Sequence, residues 1–192
     1  MDRAGERYER LVRDRKERLL GDLRGTVVEI GPGTGPNLRH LDPAVRWIGI
    51  EPNPYMDGYL AEEARRRHRR IHLVRGRAQA LSLPDASVDA VVSTLVLCSV
   101  DGLDGALAEI RRVLKPGGRF VFIEHVGAPE GSWLRRIQRW IRPAWRRVGD
   151  GCRPDRETGR RIREAGFDRV EMEDFRLPLP PVSPHVGGVA WK

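Results

Sequence analysis

Hydrophobic and polar positions along this chain follow two periods in turn. Short β-branched apolar runs at 26–30, 47–50, 71–74, 88–93 and 119–124 each predict a strand. The run from Val88 to Ser93 suits a strand buried on both faces. Helices are predicted between them over 56–68 and 105–114, the second with Leu107, Ile110, Val113 and Leu114 on one face. The turn Lys115-Pro116-Gly117-Gly118 is expected to stop that helix. Strands alternating with helices predict a parallel α/β sheet. Ahead of it, 3–20 reads as a charged helix whose apolar positions (Tyr8, Leu11, Val12, Leu19, Leu20) are sparse enough to suit the domain edge.

Beyond Glu124 the pattern changes. Residues 132–148 carry Trp133, Leu134, Ile137, Trp140, Ile141, Trp145 and Val148 as one apolar stripe, interrupted by Pro143 and faced by arginines. A helix near 157–165, a strand near 170–175, a proline-rich loop and a strand near 186–191 follow.

Composition narrows the classes. The 192 residues are expected to form a single domain, with 1–22 as its N-terminal helix and 129–150 as an insertion. Lys and Arg number 35 against 27 Asp and Glu, a net charge of +8. The arginines are scattered among acids, so no nucleic-acid partner is expected. No apolar run approaches the ~18 residues of a membrane span, and the charged start argues against a signal peptide. Two cysteines, Cys98 and Cys152, make neither a disulfide framework nor a metal-ligand cluster by spacing. A cytoplasmic protein without a metal is expected.

Candidate chemistry concentrates at Val27-Val28-Glu29-Ile30-Gly31-Pro32-Gly33-Thr34-Gly35. Glycines let a turn reach positive φ and let a ligand lie against bare backbone. A dinucleotide fingerprint needs its third glycine at position 36, where Pro36 stands; the glycine comes one residue early, at Gly35. With Glu29 just before the turn, this spacing favours S-adenosylmethionine (SAM) over a nicotinamide dinucleotide. A tight structural turn is the competing reading of the glycines alone. Glu51, roughly 20 residues further on and ending the second strand, stands where a ribose-binding carboxylate belongs.

Together with Gly-Ile-Glu-Pro-Asn-Pro at 49–54, Leu-Pro-Asp-Ala-Ser-Val-Asp at 83–89 and Leu-Lys-Pro-Gly-Gly-Arg-Phe at 114–120, the glycine block resembles the class I SAM-dependent methyltransferases. The resemblance implies a Rossmann-like α/β fold, its sheet mostly parallel with an antiparallel last strand and flanked by helices. It implies SAM as cofactor and S-adenosylhomocysteine (SAH) as product. It also implies cofactor contacts from Glu29, Gly31, Gly33, Gly35 and the adjoining Asn37, with Glu51 on the ribose. Pro52, Asn53 and Met56 would lie beside the adenine, and Thr94 and Leu95 at the methionine end. Ala78 and Gln79 would serve the adenine amine, since Arg77 stands where many members have aspartate.

A narrower set is similar to the methyltransferase-like 7 group, whose animal members methylate alkyl thiols. It comprises Ser93 to Val100, Glu124-His125-Val126, Pro143-Ala144-Trp145, Asp150-Gly151-Cys152, Thr158 and Pro184-His185. This chain opens on its charged helix where those members carry an N-terminal membrane anchor, so their membrane localisation is not expected to carry over.

The resemblance makes a small-molecule thiol the expected acceptor. O- or N-methylation of a small metabolite, RNA methylation and SAM binding without catalysis are the alternatives. Against RNA, the fourth strand runs into Ser-Thr-Leu-Val rather than an Asn-Pro-Pro-Tyr-like motif. His125 follows strand five, where parallel sheets place ligands, and imidazole titrates near neutrality, which suits a base. Asp150 is the second catalytic candidate, to orient the acceptor or take its proton. Each has a structural alternative, a hydrogen-bonded histidine and a turn residue. Cys98 and Cys152 read as packing residues, and His185 as a pocket-closing or structural histidine. The tryptophan stripe reads as a lid helix over the acceptor pocket. Its alternative is an amphipathic membrane-surface helix, which would give a peripheral membrane contact.

Overall fold

The computed structural model describes residues 3–192. Its elements are α1 (Arg3–Leu20), β1 (Thr26–Ile30), β2 (Arg46–Glu51), α2 (Asp57–Arg66), β3 (His72–Arg75), β4 (Val88–Thr94), α3 (Leu103–Val113) and β5 (Leu114–His125). Then come α4 (Trp133–Val148), α5 (Thr158–Glu164), β6 (Arg169–Arg176) and β7 (Pro184–Trp191), with short 3-10 turns at Pro36–Arg39 and Pro54–Met56. The seven strands form one sheet in the order β3-β2-β1-β4-β5-β7-β6. The first five run parallel, and β7 lies antiparallel between β5 and β6. This is the expected mostly parallel sheet with an antiparallel last strand.

The buried β-branched run of β1 pairs on both sides, Val28 opposite Ile48 of β2 and Val91 of β4. Being covered on both faces is what lets these strands dispense with polar alternation. On one face α3 lays down Leu103, Ala106, Leu107, Ile110 and Val113, all buried. They join Val28, Ile30, Val91, Phe120 and Phe122 in one core. On the other face Leu20, Leu23, Trp47, Leu60 and Val121 form a second core.

The expected turn after α3 differs in detail. Leu114 already pairs with Val88, and the register shifts between Val88 and Ala90. Pro116 and the positive φ of Gly117 (75°) thus make a bulge inside β5 rather than a loop before it. The strand order reverses between β1 and β4, and at such a switch point ligands bind outside the carboxyl ends of the strands. Those ends are Ile30, Glu51, Thr94 and His125.

Candidate active site

Two cavities open at this edge. The first, about 470 Å³, is lined by Glu51, Pro52, Asn53, Met56, Ala78 and Gln79. The second, about 760 Å³, is lined by Glu29, Asn37, Thr94, His125 and His185, with Tyr8 and Trp145. Gly31, Gly33 and Leu95 line both, so the glycine turn is where the two meet.

On the first side, the buried Glu51 carboxylate accepts the Gly33 N–H at 3.1 Å and the Asn53 N–H at 2.9 Å. It ties the glycine turn to the end of β2 and keeps lone pairs for further donors. Gly31 has φ 58°, and a Cβ there would lie 2.7 Å from Val96 Cγ2. Nothing lies within 4 Å of a Cβ built on Gly33. Gly35 differs from its expected role. It lines neither cavity, and a Cβ there would lie 2.6 Å from Leu60 Cδ1. It turns the chain and packs against α2.

Glu29 also acts through neighbours. Its two oxygens accept Asn37 Nδ2–H and Trp47 Nε1–H, both at 2.9 Å, and burial pushes its carboxyl up. Asn37 donates again to Thr94 Oγ1 at 3.1 Å, while its buried Oδ1 finds no partner among the described residues. The donor set therefore fits SAM. A buried carboxylate stands for the ribose, Met56 and Ala78 give an apolar wall, and an orphaned amide oxygen awaits a donor on the methionine side.

On the second side, His125 ends β5 and is buried. Its Nε2 lies 2.9 Å from Cys152 Sγ, and its Nδ1 finds no partner among the described residues. Trp145 Nε1–H donates to the same sulfur at 3.2 Å. The Cys98 thiol, which donates to the Leu95 carbonyl at 3.5 Å, lies close by, and the neighbourhood of Cys98 first, then His125 and Trp145, draws the Cys152 thiol down to about 5. Cys98 is pushed well up by the neighbouring Cys152 and by burial. Both cysteines are buried, as packing residues would be, and the fold also sets them beside His125. The Arg153 N–H donates to the Cys98 carbonyl at 3.1 Å, stitching the turn around Cys152 to the loop after β4. That brings the two sulfurs and a ring nitrogen of His125 within 4.8 Å of one another.

Glu124 was named in sequence reasoning only as part of a motif, with no role of its own. It is fully buried, and one oxygen accepts Ser93 Oγ–H at 2.5 Å and the N–H groups of Val96 and Leu97 at 3.2 Å. It thereby shapes the loop that carries Leu95. Its signal was an acid directly before His125 at a strand end.

His185 faces His125 across β5 and β7, the rings edge-on at 6.3 Å, and its Nδ1–H donates to the Ser183 carbonyl at 3.0 Å. It lines the second cavity, in keeping with a pocket-closing role. Burial first of all lowers its imidazole to about 4. A histidine kept neutral by the fold contributes stability that is complete above its ordinary value of 6.5 and is lost as pH falls toward 4. The stability advantage of wild type over His185→Asn should therefore shrink through that window and stay flat above it. Urea midpoints of the two proteins against pH check this, and a constant difference across the window would show a freely titrating His185.

Two expectations are corrected here. Asp150 is exposed, has φ 49° and lines the first cavity, not the second, so the fold does not bring it together with His125. Helix α4 is continuous through Pro143, and its apolar residues divide between two faces. Leu134 and Gln138 face inward, with Gln138 accepting the Ala128 N–H at 2.8 Å and donating to the Pro181 carbonyl at 2.9 Å. Trp133 and Trp140 are 72% and 83% exposed. Only Trp145 of the tryptophan stripe reaches the cavity, whose cover comes instead from Tyr8 of α1 and from Pro178, Leu179 and Val182. The reason is polar: the inward face is the one on which Gln138 and Arg135 find partners.

Residues 28–122 match the Methyltransferase domain family. Thiol S-methyltransferase TMT1B from Homo sapiens is 37% identical over 196 residues, covering 95% of this chain and 80% of that protein. A SAM-dependent methyltransferase from Thermotoga maritima, described as a possible histamine N-methyltransferase, is 26% identical with a TM-score of 0.67, over 98% of this chain and 94% of that one. The cyclase SpnF shares the fold at a TM-score of 0.76 and 23% identity, over 96% of this chain and 80% of that one. The glycine turn, the Glu51 carboxylate that ends β2 and these likenesses agree: the chain belongs to the class I SAM-dependent methyltransferases, in the methyltransferase-like 7 group.

Proposed function

We propose that this methyltransferase acts on the sulfur of a small alkyl thiol and that His125 takes the thiol proton. The carrying observation is the unpartnered Nδ1 of a buried histidine on the wall of an apolar cavity that meets the cofactor side at Gly31, Gly33 and Leu95. Glu51 would hold the ribose hydroxyls, and Pro52, Asn53, Met56, Ala78 and Gln79 the adenine. Asn37, with Glu29 and Thr94, would receive the methionine end. When bound, SAM supplies an electrophilic methyl group on a sulfonium, so the protein needs no covalent intermediate.

The remaining work is alignment and proton removal. A thiol as acidic as free cysteine has a pKa of about 8.5 and, like any less acidic alkyl thiol, arrives mostly protonated at neutral pH. With Cys152 as acceptor of the Nε2–H of His125, the lone pair is left on Nδ1, the ring nitrogen that no protein group engages among the described residues. Tyr8, Leu95, Trp145, Leu179 and Val182 give the alkyl chain an apolar wall. The thiol S-methyltransferase relatives support the same acceptor. Turnover of an alkyl thiol, the matching alcohol and the matching amine tests this. The thiol should be methylated at least tenfold faster than either, and a faster alcohol or amine sinks the proposal.

A second reading concerns the outer face of α4. Trp133, Ile137, Trp140 and Val148 are exposed beside Arg136, Arg139, Arg146 and Arg147. No described helix is long and apolar enough to cross a membrane. An exposed tryptophan face bordered by arginines instead matches the interface of an anionic bilayer. Cosedimentation with phosphatidylserine vesicles should fall several-fold in Trp133→Gln/Trp140→Gln. Equal sedimentation of the variant contradicts this reading.

A further inference from the structure

We propose that Cys98, His125 and Cys152 form a binding site for a thiophilic d10 cation of the Zn2+ or Cd2+ kind. All three are buried, and their donor atoms lie within 4.8 Å of one another. Two sulfurs and an imidazole are a soft donor set, which selects such cations over Mg2+ or Ca2+. Bond lengths of about 2.3 Å to sulfur and about 2.0 Å to nitrogen put tetrahedral donors roughly 3.5 Å apart. Closing on an ion therefore needs shifts of about an ångström, including a slight widening of the 2.9 Å His125–Cys152 contact. The frame is already in place. Trp145 Nε1–H donates to the Cys152 sulfur at 3.2 Å, the kind of outer hydrogen bond that orients a ligand. The Arg153 N–H fixes the Cys98 carbonyl at 3.1 Å, so the two sulfur-bearing segments are held together without the ion. Three protein donors leave one position of a tetrahedral ion open.

Binding through Nε2 leaves the proton of His125 on Nδ1, so an imidazole that holds the ion cannot take one from the acceptor. The cation is therefore an inhibitor of methyl transfer. That consequence rests on the proposed role of His125; the site itself does not.

Cd2+ titration followed by thiolate-to-metal charge-transfer absorption tests the site. The chain has only these two cysteines, so the signal reports on them alone. One equivalent per chain should saturate it. Cys98→Ser and Cys152→Ser should each lose about half the amplitude, and His125→Ala should weaken affinity at least tenfold. Circular dichroism confirms that each variant is folded, and Cys98→Ala replaces any that is not. Charge transfer that appears only after denaturation, or an amplitude unchanged in Cys98→Ser, overturns the site. Saturating Cd2+ that leaves methyl transfer intact overturns the inhibition and the role of His125 but not the site.

Discussion

His125→Gln lowers thiol methylation by about 30- to 100-fold at neutral pH and regains most of the wild-type rate near pH 9.5. The size follows from the acceptor. For an acceptor thiol as acidic as cysteine, pKa about 8.5, roughly 3% is thiolate at pH 7, so an enzyme without a base must wait for that fraction. General-base contributions start at about 100-fold, the upper end of this range. The glutamine can still meet Cys152, where Nε2 now lies at 2.9 Å, so the cavity wall is kept. In the variant the rate should climb about tenfold per pH unit up to the thiol pKa, while SAM affinity stays unchanged. Steady-state rates from pH 6 to 10 separate this from a structural role, which would lose the same factor at every pH.

Glu51→Ala should weaken SAM binding by about two decades. Two hydrogen bonds from ribose hydroxyls to a charged carboxylate contribute about 3 kcal/mol together, and each 1.4 kcal/mol is about a factor of ten. The same side chain accepts the Gly33 and Asn53 N–H groups, so the variant also loosens the glycine turn. Glu51→Gln separates the two effects. It keeps the side-chain volume and one acceptor, so it should lose affinity with a smaller change in melting temperature. Isothermal titration with SAM reads both variants, and an unchanged Kd in Glu51→Ala would remove the ribose role from Glu51.

The geometry of the glycine turn and the end of β2 was legible because its information is local. The apolar run of β1, the glycines two apart and the acid ending β2 are contiguous in the chain, and the fold sets Glu51 against Gly33 as that spacing implies. The acceptor half is assembled from distant segments. Tyr8 comes from α1, His125 from β5, Trp145 from α4 and Leu179 from the loop before β7. No local period announces such a meeting. Cys98 and Cys152 looked like isolated small core residues because their contact depends on a backbone bond from Arg153 to Cys98. Helix α4 misled for a different reason. Its apolar residues occupy both sides, and the buried side was decided by Gln138 and Arg135, whose partners lie outside the helix. Asp150 was a candidate to orient the acceptor or take its proton, and the turn at Gly149 to Cys152 sets it on the first cavity instead.

The account rests on the thiol lying between the cofactor side and His125. A crystal structure with SAH and a small alkyl thiol bound tests this most directly. The sulfur should occupy the second cavity, beside Gly31 and Leu95, within about 3.5 Å of His125 Nδ1. A thiol bound elsewhere, or a His125 ring whose Nδ1 is turned away from it, would contradict the account.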